Sequence, residues 1–278
     1  MPSRKNLRCL EKALYLHKLS IYMLGAIFGD IVGSVYEFNP TNDYHFPLLS
    51  KRSIYTDDTI CTIAVADAYM NKKSYCDALR EWCLRYPHPM GGYGGSFNTW
   101  LHSTDATPYF SWGNGSAMRV SALGWLCKTK NEVLADATYS AACTHNHHDG
   151  IRGAQATALA VFLARNGISK KELLHEIEHL FGYDIAHSNL DNFRNKFDES
   201  CNGTVPAAFV CIRDSYDYES AIRLAVSLGA DADTLGAIVG GIADALYGVP
   251  DELKQRAADY LPYEMKLIVE QFYKTIKR

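Results

Sequence analysis

Apolar residues recur at helical spacing along most of the chain. The pattern predicts helices at 59–71, 74–86, 131–143, 150–165, 170–181, 215–228, 235–247 and 251–277. The segment 59–71, TICTIAVADAYMN, is apolar and Ala-rich on several faces, as suits a buried helix. Many of the others are rich in Ala, Leu, Glu and Lys, which are strong helix formers. Thr204-Val205-Pro206 leads into AAFVCIR, which reads as a helix with Pro206 in its first turn. No series of alternating β-branched strands is present. Breakers fall at Asn39-Pro40, Pro87-His88-Pro89, Gly91 to Gly95, Gly113 to Gly115, Asn202-Gly203 and Gly248-Val249-Pro250. The expected fold is all-α, a single multi-helix bundle.

Composition narrows the picture. A chain of 278 residues allows one large domain or two small ones. No long linker and no fixed-period repeat divides it, so one domain at 21–278 is expected, with 1–20 a loosely held extension. An apolar share of 47% supplies a core that needs no disulfide or metal to fold. Lys and Arg number 28 against 31 Asp and Glu, a net charge of -3. That balance argues against a general grip on nucleic acid or a membrane surface, and leaves room for a local pocket that takes one anion. The 8 cysteines form no C-x-x-C pair and sit mostly among apolar neighbours, so they read as buried thiols in a reducing compartment. The start, MPSRKNLRCLEKALYLHKLS, is basic without a sustained apolar run, which reads against a secretory signal. No window approaches about 20 uninterrupted apolar residues. The expectation is a soluble, cytoplasmic monomer.

Acidic residues concentrate at a few helix starts. Tyr55-Thr56-Asp57-Asp58-Thr59 precedes an apolar helix, and Asp231-Ala232-Asp233-Thr234 precedes another. Each pattern suits a helix cap. Carboxylates and hydroxyls are also hard oxygen ligands for Mg²⁺ or Mn²⁺. Taken together, two acid-acid-Thr helix starts can hold two divalent ions about 3.5–4 Å apart. Asp30 and Glu37 lie seven residues apart in an apolar stretch, so on a helix they project from nearly one side. Such a pair needs a metal, a substrate hydroxyl or a buried Arg. Gly29 and Gly33, like Gly236 and Gly240, are four apart and permit close helix approach. The loop Ser111-Trp112-Gly113-Asn114-Gly115-Ser116 leads toward a helical segment, a setting in which backbone N–H groups take phosphate. It lacks the Lys-Ser/Thr ending of a P-loop. Gly91-Gly92-Tyr93-Gly94-Gly95 offers a second, aromatic wall. His145, His147 and His148, beside Asp149, suggest zinc, a His-Asp phosphohydrolase pair or a single phosphate donor.

The ordered set GDIVGSVYE (29–37), YTDDT (55–59), SWGNGSAMR (111–119), THNHHDG (144–150) and GADADTLGAIVGG (229–241) resembles the ADP-ribosylglycohydrolase family. That family includes dinitrogenase-reductase-activating glycohydrolases and ADP-ribosylarginine and ADP-ribosylserine hydrolases. The resemblance implies an all-α bundle with a central cleft holding two Mg²⁺ or Mn²⁺ ions. It implies Thr56, Asp57, Asp58, Asp231, Asp233 and Thr234 as metal ligands. Glu37 matches the family's mobile glutamate and, with Asp57 and Asp58, is a candidate general acid or base. Ser111, Gly113, Asn114, Gly115 and Ser116 match the loop around the ADP-ribose phosphates and ribose. Trp112 stands where an aromatic can meet adenine, His145 where a histidine reaches the diphosphate, and Tyr93 and Gly94 in a loop near substrate. The implied activity is release of ADP-ribose from an acceptor, a protein side chain or a small conjugate, by cleavage at the anomeric carbon of the distal ribose. One departure stands out. The family often has Gly-Gly-Asp where this chain has Gly229-Ala230-Asp231, and alanine resists φ > 0.

Two rival functions start from the same residues. An ADP-ribose-binding module without turnover would keep the loops but has no need of the full acid set. A metal-dependent phosphohydrolase built on His148 and Asp149 would leave the glycine loop and the C-terminal acids unexplained.

Overall fold

Polar caps and prolines set the helix boundaries that apolar periodicity leaves open. The computed structural model describes residues 23–277; the extension expected at 1–20 lies outside them. The first helices are α1 (Leu24–Gly33), α2 (Asp57–Asn71), α3 (Tyr75–Arg85), α4 (Gly95–His102) and α5 (Ser121–Leu126). The middle of the chain forms α6 (Lys130–Ala142), α7 (His148–Arg165), α8 (Lys170–Phe181) and α9 (Cys201–Asp214). The last are α10 (Tyr218–Val226), α11 (Ala232–Tyr247), α12 (Asp251–Tyr260) and α13 (Tyr263–Ile276). Among the described residues there is no sheet, only two isolated bridges, Thr56 with Met90 and Gly113 with Ser200. The all-α expectation is met.

Thr129 with Glu132 and Ser169 with Glu172 form capping boxes at α6 and α8. Three local expectations change. The segment 251–277 is two helices, because Pro262 precedes Tyr263 and the chain turns at Leu261. Pro206 lies inside α9 rather than in its first turn, because Ser200 caps the helix earlier by accepting from Gly203 N at 3.0 Å. Helix α1 ends at Gly33, so Glu37 stands beyond a turn and not on the helix that carries Asp30.

All ten residues of α1 are buried, and so is α11 from Ala232 to Asp244. The two run antiparallel with their glycines against each other's backbone. A Cβ placed on Gly29 would lie 1.9 Å from Gly236 O, and one on Gly240 would lie 2.2 Å from Gly25 O. No side chain fits at those crossings. The close approach matters for function because Asp30 follows Gly29, while Asp233 and Thr234 lie just before Gly236.

Candidate active site

Three segments bring carboxylates to one place. Helix α1 supplies Asp30 and the turn after it Glu37. The start of α2 supplies Asp57 and Asp58, and the start of α11 supplies Asp231 and Asp233. Oxygens of Asp30, Asp58 and Asp233 lie within 4.8 Å of one another, and all three residues are buried. Asp30 accepts from Thr56 N at 3.0 Å, Thr56 Oγ1 at 2.7 Å and Thr59 N at 3.1 Å, and from Thr59 Oγ1. It thereby fixes the turn that presents Asp57 and Asp58. Thr56 also caps α2, its Oγ1 accepting from Asp58 N at 3.3 Å, so capping and presentation of acids coexist. Asp231 makes no capping bond. Its Oδ2 instead accepts from Asn114 Nδ2 at 2.6 Å, tying the glycine loop to the acids.

Bringing these charges together out of water is costly. Burial, and then the charge of Asp233, pushes Asp30 up to about 7 and Glu37 up to about 8. Asp57, Asp58 and Asp231 are driven well above the usual carboxylate range, with burial the largest cause in each. Asp58 Oδ1 and Glu37 Oε2 are buried with no protein partner. Orphaned buried oxygens among like charges fit a hard divalent cation. Glu37 is also covered: a Cβ on Gly91 would lie 2.6 Å from its Oε2, and Gly91 has φ 79. Only glycine suits that position.

The acids and the glycine loop line one cavity of about 370 Å³. This volume is in the range of small-molecule sites. Asn114 N donates to Glu199 O at 2.7 Å and Cys201 N donates to Trp112 O at 2.9 Å, so the loop is strapped to the start of α9. Asn114 Nδ2 also donates to Thr204 Oγ1 at 2.9 Å, and Ser116 Oγ donates to Gly150 O at 2.7 Å. These side-chain bonds hold the loop in place. The buried ring of His145 stands against the glycines.

The family model described as ADP-ribosylglycohydrolase matches residues 12–277. The chain belongs to this family. It is an enzyme of the ADP-ribosyl glycohydrolase type. The chain is similar to ADP-ribosylarginine hydrolase Tri1 of Pseudomonas putida, at 26% identity over 90% of this chain and 76% of that protein. It is similar to ADP-ribosylhydrolase ARH3 of Homo sapiens, at 28% identity over 86% of this chain and 88% of that protein. A solved structure described as an ADP-ribosylglycohydrolase-related protein complex shares the fold, with TM-score 0.72 and 24% identity over 92% of this chain and 98% of that one.

In this ADP-ribosylglycohydrolase, most residues expected at the site line the cavity. Glu37, Asp57, Asp58, Asp231, Asp233 and Thr234 do so. So do Ser111, Gly113, Asn114, Gly115 and His145, together with Tyr93 and Gly94. The Tyr93 hydroxyl donates to Tyr86 O at 2.8 Å, leaving its ring for the cavity. Three residues lie outside. Thr56 and Ser116 are buried, and Trp112 stands exposed with its ring centroid 5.9 Å from that of His147. Ala230 does not take a positive φ; Gly229 carries it, at 65, so the Gly-to-Ala departure leaves the loop intact.

The remaining histidines are elsewhere. His147 caps α7, accepting from Asp149 N at 3.1 Å. His148 is exposed and pairs with Asp149 at 3.2 Å. Neither joins the acid cluster. Sequence reasoning missed Arg119, Tyr109 and Glu199, which also line the cavity. Arg119 sits at the end of the SWGNGSAMR string, and nothing in the string shows that it is buried. Among the described residues no helix is long and apolar enough to cross a membrane.

Proposed function

We propose that this enzyme hydrolyses the bond between the anomeric carbon of the distal ribose of ADP-ribose and an acceptor, a protein side chain foremost. It works with two divalent cations, Mg²⁺ or Mn²⁺. The observation that carries this reading is one cavity lined both by an acid cluster and by a glycine loop. Thr56, Asp57, Asp58, Asp231, Asp233 and Thr234 would hold the cations, which when bound supply fixed positive charge and Lewis acidity at the ribose. Asp30 anchors the Thr56–Asp58 turn rather than joining them, since its oxygens already accept from Thr56 and Thr59.

The chain's own groups do the rest. Gly113, Gly115 and His145 bind the diphosphate, and Trp112 stacks on adenine at the rim. Tyr93 and Gly94 wall the distal ribose and exclude water from its far side. Glu37, pushed up to about 8, carries a proton at neutral pH in the absence of cations. It lines the cavity among the other acids, where it can pass a proton to the departing acceptor or take one from the attacking water. Asp57 and Asp58 face the same space and are the alternative bases. Carboxylates around the anomeric carbon also stabilise positive charge that develops there.

A panel of substrates with ADP-ribose on arginine, serine or a small molecule, each incubated with and without Mg²⁺, tests the proposal. Free ADP-ribose should appear only with the cation, and Asp233→Asn should abolish its release. Full activity in Asp233→Asn would refute the two-cation reading. Tight ADP-ribose binding with no turnover on any substrate would favour a binding module instead.

A further inference from the structure

Arg119 is 1% exposed and lines the cavity. One guanidinium nitrogen donates to Ser140 O at 2.7 Å and to Thr144 Oγ1 at 3.1 Å. Its Nε is buried with no partner, and it forms no ion pair among the described residues. A buried cation without a counter-charge calls for an explanation. The next link is Thr144 Oγ1, which lies 2.7 Å from His145 Nδ1.

Donor chemistry gives this chain a direction. Arginine only donates, so Thr144 Oγ1 accepts from it and its own hydroxyl proton must go elsewhere. Two acceptors face that proton: the Tyr109 phenol oxygen, a weak acceptor, and His145 Nδ1 at 2.7 Å, whose imidazole lone pair is the stronger one. The Thr144 hydroxyl therefore donates to His145 Nδ1. Burial, and then Arg119, holds His145 well below its ordinary value, so the ring is neutral and carries one proton. With Nδ1 accepting, that proton sits on Nε2. Nε2 has no protein partner among the described residues and faces the glycine loop: a Cβ on Gly115 would lie 3.2 Å from it, and one on Gly113 3.4 Å.

We propose that Arg119 and Thr144 are positioning residues that lock His145 as the Nε2–H tautomer, aiming one N–H donor at an anionic group held by the Gly113–Gly115 loop. The role of that donor depends on the loop being the diphosphate cradle proposed for it. The opposite tautomer would turn a lone pair toward the anion and repel it.

The tautomer is read from a proton–nitrogen correlation spectrum of the ligand-free protein with isotope-labelled histidine, so it needs neither substrate nor turnover. The wild-type ring should show a protonated Nε2 and a bare Nδ1. Thr144→Val should lose this pattern to a mixture of tautomers and weaken ADP-ribose binding about tenfold by calorimetry, the loss of one hydrogen bond. Thr144→Ser should restore the nitrogen pattern, which a merely structural role for the methyl group would not do. A wild-type ring protonated at Nδ1, or Thr144→Val with both pattern and affinity unchanged, would overturn the relay. The Nε2–H pattern in a protein that binds no ADP-ribose would uphold the relay and overturn the cradle. The wild-type spectrum decides the tautomer even if Thr144→Val does not fold.

Discussion

Gly29→Ala tests the α1–α11 crossing that places the acids. The added Cβ would lie 1.9 Å from Gly236 O and 2.5 Å from Gly236 C. A carbon–oxygen contact needs about 3.3 Å, so the helices must separate by about 1.4 Å. The obstacle is backbone on a buried helix, with no side chain able to swing aside. Overpacking of this kind costs typically about 1–3 kcal/mol and sometimes more. Alanine returns about 1 kcal/mol of helix propensity. Because rigid backbone must move, the upper end of about 3 kcal/mol applies, and after the helix-propensity gain a net loss of about 2 kcal/mol is expected, lowering Tm by about 4–8 °C. The control is Gly95→Ala, also at a helical glycine, whose Cβ would meet nothing within 4 Å. It should stay within about 0.5 kcal/mol of the parent. Circular-dichroism melts of the three proteins give the answer. A Gly29→Ala protein as stable as the parent would refute the reasoning, because propensity would then outweigh the clash. The same variant should show a smaller rise in Tm with Mg²⁺, since separation of the helices draws Asp30 and its turn away from Asp233.

Other outcomes follow from the same geometry. In cation-free buffer Asp58→Asn should melt above the parent, because it removes one of several repelling carboxylates. With saturating Mg²⁺ the order should reverse, as the parent gains about 2.7 kcal/mol at 100 times Kd and the variant does not; an unchanged order would speak against a cation at Asp58. Asp244, fully buried, is pushed by burial from 3.8 up to about 7. The folded protein therefore keeps a proton that the unfolded chain releases, and that stability, about 4 kcal/mol, is present at low pH and lost as pH rises to about 7. Asp244→Asn should flatten denaturation midpoints measured between about pH 4 and about pH 7.5 in Mg²⁺; parallel curves for the two proteins would exclude this. Trp112→Ala should raise KM for ADP-ribosylated substrate about tenfold with Tm unchanged, matching the loss of one base–aromatic stack. An unchanged KM would remove Trp112 from the adenine site.

Helix content and most of the site were legible because both rest on local chemistry. Lys170–Phe181 is set by its Ser169 cap and the Gly182 that ends it, and both signals stand in the sequence. The turn Thr56-Asp57-Asp58 and its counterpart at 231–234 could be paired because each opens an apolar helix. What sequence hid depends on contacts between distant segments. Asp30 and Glu37 read as one helical face seven residues apart, yet α1 stops at Gly33 and Glu37 arrives by a turn under Gly91. Asn114 reads as a ligand-facing loop residue, yet its side chain spans to Thr204 and Asp231. Arg119 looks like any surface arginine until Ser140 and Thr144 close over it.

The arrangement of donors around the acids explains how the fold tolerates them. A net charge of -3 over 278 residues gives no warning of such a concentration. Asp30 is met by four donor groups on Thr56 and Thr59, and Asp231 by Asn114. The Asp30 oxygens are satisfied by the protein and need no ion. Asp58 Oδ1 and Glu37 Oε2 receive nothing. A cluster that served only to cap helices would leave no buried oxygen bare, since each orphan costs about 1–3 kcal/mol or more when charged. The unpaired oxygens are therefore the part of the site that the chain leaves for something else to complete. Both residues line the cavity.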